Sequence, residues 1–169
     1  MKNKNLLSKS AYEKIDHWVV KFPNDKKKSA VLMALRIAQD EHSFLNEKLM
    51  DEIALYLGIS ELEVYEVASF YSMYRFSKVG KFHLELCSSI SCKLCGVEEL
   101  VDYLTKKLNI KLGETTADGL FTVSYTECLA ACCGAPAMLV NHKDFYEDLT
   151  PTRLDQIISK LTSEVENGN

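Results

Sequence analysis

The stretch Lys81–Cys95, KFHLELCSSISCKLC, decides how the chain reads. Lys81–Leu86 alternates polar and apolar residues, the period of a strand with one buried face. Three cysteines, Cys87, Cys92 and Cys95, follow where the alternation stops. Gly96–Leu108 then sets Val97, Leu100, Val101, Leu104 and Leu108 at helical spacing. Further on, Leu120–Tyr125 (LFTVSY) reads as a second strand and Ala137–Val140 as a third, with a short strand or turn over Asp144–Asp148. Thr150 before Pro151 is a good helix start, because proline at the first helical position gives up no needed donor. That helix is expected to reach about Leu161, with Ser163–Asn169 as a frayed tail. The order strand, helix, strand, strand, helix predicts an α/β layer with a small mixed sheet.

Upstream the pattern is helical. Ser10 and Glu13 have capping-box spacing, and the helix they would open runs through Trp18 to about Phe22. Pro23-Asn24 breaks it. A second helix is expected over Lys27–Glu41, with Val31, Leu32, Leu35, Ile37 and Ala38 on its apolar side. Asn46 caps a third, which Gly58 ends near Leu57. Ser60 and Glu63 repeat the capping box for a fourth, running through Val64, Val67, Ala68, Tyr71 and Met73. Short loops between four helices predict a small bundle over residues 1–78. The aromatic run Phe70–Phe76 (FYSMYRF) reads as core packing, with a partner-docking face as the alternative. His17 and His42 read as ordinary side chains. The expected fold class is therefore α+β: an N-terminal four-helix bundle, then an α/β domain over residues 79–162, of the size a thioredoxin-like domain needs.

Composition narrows the function. The 169 residues are 47% hydrophobic and 26% charged, which excludes wholesale disorder and allows a real core. A net charge of -4 argues against a sequence-wide nucleic-acid footprint. The charge is uneven: 12 Lys/Arg against 11 Asp/Glu up to Lys78, and 8 against 13 from Val79. No window approaches the roughly 18–20 apolar residues of a membrane helix. The start, MKNKNLLSKSAYEK, has neither the apolar core of a signal peptide nor the arginine-rich face of a transit peptide. The chain reads as soluble and intracellular, either bacterial or already processed for an organelle. There is no repeat, acid–base pair, Ser/His/Asp set or phosphate-cradling loop. Gly113 and Gly119 are too sparse for a dinucleotide fingerprint, so no nucleotide is assigned.

All six cysteines lie in the second half, in two groups: Cys87, Cys92 and Cys95, then Cys128, Cys132 and Cys133. Without an export signal, structural disulfides are not expected. Each group sits where a predicted strand gives way to a loop, and 35 residues separate Cys92 from Cys128. Three chemistries compete. A [2Fe–2S] cluster needs four thiolates, two per iron, and paired loops suit it. Structural zinc also accepts four cysteines, though at shorter usual spacings. Dithiol exchange is the third, because Cys92-Lys93-Leu94-Cys95 is a C-x-x-C at the head of a helix. Cys87-x4-Cys92-x2-Cys95 also matches the plant-type ferredoxin run, and spacing leaves that choice open. Ser88, Ser89 and Ser91 are candidate donors to sulfur or simple turn formers. Gly134-Ala135-Pro136 reads as a turn, with Pro136 where thioredoxin-like folds carry a cis proline.

Two further stretches carry a resemblance. Ser29–Leu35 with Ala38–His42 is similar to the second helix, and Glu63–Met73 (EVYEVASFYSM) to a characteristic segment, of the E-subunit family of bacterial NADH-quinone oxidoreductases, the 24-kDa family of respiratory complex I. Lys107–Ile110 and Gly113–Gly119 also resemble the family between its cysteine pairs. The family pattern C-x4-C, about 35 residues, C-x3-C falls on Cys87, Cys92, Cys128 and Cys132. The resemblance spans roughly Ser10–Leu161. It implies one [2Fe–2S] cluster on those four cysteines, with Cys95 and Cys133 as non-ligands. It implies FMN and NADH on a partner subunit of the 51-kDa family and not on this chain, and no catalytic set of its own. It places the chain on the inner face of the bacterial plasma membrane through its complex. Related subunits also occur in NAD-linked hydrogenases and formate dehydrogenases.

Overall fold

The computed structural model describes residues 6–166. The chain divides into two compact units, Met1–Lys78 and Val79–Asn169. The first is all helical: α1 (Lys9–Val19), a 3-10 segment (Asn24–Ala30), α2 (Val31–His42), α3 (Glu47–Leu57) and α4 (Glu61–Phe70). Helix α2 packs against α1, α3 and α4. Their shared core holds Ile15, Ala34, Leu35, Leu49, Ile53 and Val64.

Local chemistry explains most of these boundaries. Asn46 Oδ1 accepts the Leu49 N–H at 3.0 Å, and Gly58 ends α3 in the left-handed region at φ +66°, where only glycine sits without cost. Ser60 and Glu63 form the reciprocal capping box. Three expectations need correction. The cap of α1 is Ser8, not Ser10: Ser8 Oγ accepts the Ala11 N–H while its own N–H and hydroxyl donate to Glu41 of α2, at 2.9 and 2.8 Å. A carboxylate from another helix thus selects the cap. The expected start of the second helix is the 3-10 segment, and α2 begins at Val31.

Helix α4 stops at Phe70, short of Met73, because Tyr71 is extended. The buried side chain of Gln39 takes over there. Its Nε2 donates to Met73 C=O at 2.9 Å and its Oε1 accepts the Arg75 N–H at 2.7 Å. Tyr74 is buried and donates to Leu32 C=O at 2.7 Å. The rest of the aromatic run is not core: Phe70 is 80% exposed, and Tyr71 and Phe76 are also exposed. The amide of Gln39 replaces the helical ladder, so the backbone turns away and those rings are left on the surface.

The second unit holds β1 (Phe82–Cys87), α5 (Ile90–Leu94), α6 (Val97–Leu108), β2 (Phe121–Thr126), β3 (Met138–Val140), β4 (Asp144–Tyr146) and α7 (Pro151–Glu166). Its sheet has the order β2-β1-β3-β4. β1 and β2 are parallel, with Phe82 opposite Phe121 and Cys87 opposite Thr126. β3 runs antiparallel to both β1 and β4. A parallel pair needs a long crossover, and α5 with α6 supplies it. Leu84, Leu86, Val97, Leu104, Val123, Met138 and Leu154 form the centre of the core. Helix α7 outruns its expected end. Ser163 to Glu166, read as frayed tail, are helical, and residues 167–169 lie outside the described residues. The expected helix over Gly96–Leu108 is α6, and a further short helix, α5, occupies the stretch read as a cysteine loop, separated from α6 at Gly96 with φ +85°.

Candidate metal centre

Sheet topology brings the cysteine loops together. Two parallel strands in register end side by side, so β1 delivers Cys87 and β2 delivers Cys128 to the same edge. β3 runs the opposite way and therefore starts there: Cys87 N–H donates to Ala137 C=O at 3.0 Å. The segment Cys132–Pro136 leads into that start. The carboxyl ends of parallel strands are where open α/β sheets hold ligands.

The sulfurs meet at this edge. The Cys87 and Cys92 thiols are hydrogen-bonded, and Cys132 acts electrostatically on Cys92. Cys128 is hydrogen-bonded to both Cys132 and Cys87. Cys87, Cys92, Cys128 and Cys132 thus act on one another across this edge. Cys95 ends α5 and Cys133 lies in a 3-10 turn (Cys132–Gly134); both are exposed, and neither is among those interacting sulfurs.

The surroundings differ across the ring. Cys92 is 2% exposed. Burial pushes its thiol up, and the Ala137 N–H opposes that by donating to its sulfur. Cys128 is exposed, and its thiol is held below the ordinary range. The Ala130 N–H is the first cause, at 3.4 Å from Sγ, and the Ser89 hydroxyl the second. Ala130 is left-handed at φ +58°, a conformation alanine adopts at a cost of roughly 1–2 kcal/mol. Gly134 is needed for space: a Cβ there would sit 2.7 Å from Glu147 Cβ. The Ala135–Pro136 bond is cis.

Of the loop serines, Ser89 reaches Cys128. Ser88 is a turn residue, its N–H and hydroxyl both donating to Thr126 C=O at 3.0 and 2.9 Å. The backbone donors of Ala130 and Ala137 carry no side-chain signal, so sequence reasoning missed them. Dithiol exchange at Cys92/Cys95 fits poorly. The attacking thiol of such a pair is accessible and lowered, whereas Cys92 is buried and raised. Four convergent thiols from two loops fit a cluster of soft iron with two thiolates per metal.

Comparison with known proteins decides the family. The family model described as thioredoxin-like [2Fe–2S] ferredoxin matches residues 15–162. The chain belongs to the thioredoxin-like [2Fe–2S] ferredoxin family. Relatives of this ferredoxin include NADH-quinone oxidoreductase subunit 2 of Thermus thermophilus, 42% identical over 147 residues, covering 87% of this chain and 81% of that protein. An NADH-quinone oxidoreductase subunit of Rhizobium meliloti is 42% identical over 149 residues, covering 88% and 87%. Another, from Rickettsia felis, is 38% identical over 150 residues, covering 88% and 89%. Among solved structures, an NAD+-reducing [NiFe]-hydrogenase in the air-oxidized state aligns with a TM-score of 0.68 at 24% identity. It covers 80% of this ferredoxin, which spans only 23% of the hydrogenase chain, so that likeness concerns the fold. The cofactor of the family is one [2Fe–2S] cluster. Among the described residues, no helix is long and apolar enough to cross a membrane.

Proposed function

We propose that Cys87, Cys92, Cys128 and Cys132 ligate the [2Fe–2S] cluster, and that the chain is an electron-transfer subunit of an NADH-quinone oxidoreductase. The partner is an FMN- and NADH-binding subunit of the 51-kDa family. The observation that carries this reading is the meeting of four cysteines at the carboxyl ends of β1 and β2, buried on the Cys87/Cys92 side and exposed on the Cys128/Cys132 side. A bound cluster supplies one-electron chemistry. The chain's own residues do the rest. Cys87 and Cys92 anchor one side in the core. The N–H groups of Ala130 and Ala137 and the Ser89 hydroxyl donate to sulfur, which favours the more negative, reduced form. The exposed side lets a redox partner approach closely.

Apolar surface beside this edge supports docking there: Ile90 and Leu94, on the helix that carries Cys92, are 73% and 83% exposed. The complex would hold the chain at the membrane surface through other subunits. The name of the structural neighbour keeps a second parent in view, the corresponding part of an NAD-linked hydrogenase. The test is anaerobic visible absorption with NADH as reductant. NADH alone should leave the cluster bands unchanged, and adding the FMN-binding subunit should bleach them within the mixing time. Bleaching by NADH alone, or no bleaching in the purified complex, would overturn the reading.

A further inference from the structure

Away from the cysteine edge, the described residues bring together one other set of metal-donor side chains, His83, Glu85 and His142. None of the three stood out in the sequence. His83 and Glu85 are two apart on β1, so the strand period points both to one face. His142 lies in the turn between β3 and β4. The antiparallel register pairs Leu84 with Val140, which carries the turn to the start of β1. Asn141 fixes it there. Its N–H donates to His83 C=O at 3.0 Å, its Oδ1 accepts the His83 N–H at 2.8 Å, and its Nδ2 donates to Lys81 C=O at 3.0 Å.

The Glu85 carboxylate lies between the two rings. His142 Nε2 is 3.2 Å from Oε1, and His83 Nδ1 is 3.7 Å from Oε2. One ligand atom from each residue lies within 4.8 Å of the other two. His83 and Glu85 are buried, and the His142 side chain is 11% exposed.

Two features go beyond a buried ion pair. Two imidazoles with one carboxylate is the donor set that holds zinc with a fourth position open. The far nitrogen of His83, Nε2, sits 2.7 Å from Ser124 Oγ on β2, the outer contact that orients a metal-bound imidazole. Asn141 and His142 are both left-handed at φ +53°. Both residue types are enriched there, and the Lys143 N–H donates to Val140 C=O at 3.0 Å, so this is the ordinary backbone of a tight hairpin turn that presents His142.

We propose that His83 Nδ1, His142 Nε2 and the Glu85 carboxylate form a second metal site, for one divalent cation of the zinc class. Nitrogen and carboxylate donors suit zinc; thiolates accept it too, so the cluster is loaded before zinc is added.

The experiment uses the full chain with its cluster loaded anaerobically, equilibrated with Zn2+ alone and desalted. Iron and zinc are counted, and zinc-edge X-ray absorption is recorded. One zinc per chain is expected beside an unchanged iron count. Its nearest scatterers should be N/O at about 2.0–2.1 Å, without sulfur at about 2.3 Å. H142N keeps a residue suited to the turn and should lose zinc at least tenfold, as should E85Q. S124A should weaken zinc by about 10–100-fold while leaving every ligand in place. Zinc absent from the wild type, a sulfur shell, or wild-type zinc in both H142N and E85Q would overturn the site. Iron missing with zinc retained would count against the cluster reading and not against this one.

Discussion

Ser89 and Ser88 are neighbours with different work. Ser89 donates to the Cys128 sulfur, while Ser88 is bonded to Thr126 C=O. A hydrogen bond to a cluster sulfur favours the reduced state, because that state carries the extra negative charge. Ser89→Ala should therefore lower the reduction potential, and Ser88→Ala should leave it unchanged, both read by redox titration of the loaded protein. Equal potentials in wild type and S89A would remove this role for Ser89. The same scale shows what one sequence can hide. Cysteine spacing drew attention to the loops that follow β1 and β2, but the Ala130 and Ala137 donors are main chain. The cap of α1 went to Ser8 because Glu41, 33 residues on, supplies two acceptor oxygens.

At the scale of elements, two tertiary contacts set the ends of helices. Gln39 bonds Met73 C=O and the Arg75 N–H from within the core. Gln39→Leu keeps the volume and strands both groups, so it should cost about 1–3 kcal/mol in a denaturant titration. The loss should come with faster amide exchange in residues 71–76; unchanged exchange there would show that the amide does not hold the segment. Glu52 of α3 plays a similar part at the start of α1. Its carboxylate accepts the N–H groups of Leu6 and Leu7, at 2.8–3.1 Å, and the Tyr12 hydroxyl. Desolvation acts to raise its pKa, but those hydrogen bonds win and hold it below the ordinary value. The stabilisation is thus present at neutral pH and is lost as pH falls through the folded-state pKa. Glu52→Gln should reduce stability at pH 7 and flatten its decline below about pH 4, the range in which an ordinary glutamate titrates. An unchanged acid slope would contradict this. Where caps act within one helix, as at Asn46, Gly58 and the Ser60/Glu63 box, the boundary was legible. Where a distant side chain intervenes, as Gln39 does, the local pattern ran past the true end.

For the molecule as a whole, the mixed α+β architecture was legible because its strands alternate and its helices keep their period. The parallel pairing of β1 with β2 then follows from the crossover between them. The exposed aromatic rings of Phe70 and Phe76 were not legible, since an aromatic run looks the same in a core and on a surface. The His83–Glu85–His142 group was hidden for a different reason: it exists only once the order β2-β1-β3-β4 sets the β3–β4 turn beside β1. The sheet also explains why Cys92 and Cys128, with 35 residues between them, converge, and the proposed cluster site rests on that convergence. The most direct test is iron and acid-labile sulfide content with the visible spectrum, measured on anaerobically loaded protein carrying single Cys→Ser changes. A cluster on these four cysteines predicts two irons, two sulfides and bands between roughly 300 and 600 nm that bleach with dithionite, in the wild type, Cys95→Ser and Cys133→Ser. Changes at Cys87, Cys92, Cys128 or Cys132 should each reduce iron content and colour several-fold. Loss of the cluster on changing Cys95 or Cys133, with full retention on changing Cys128 or Cys132, would contradict it.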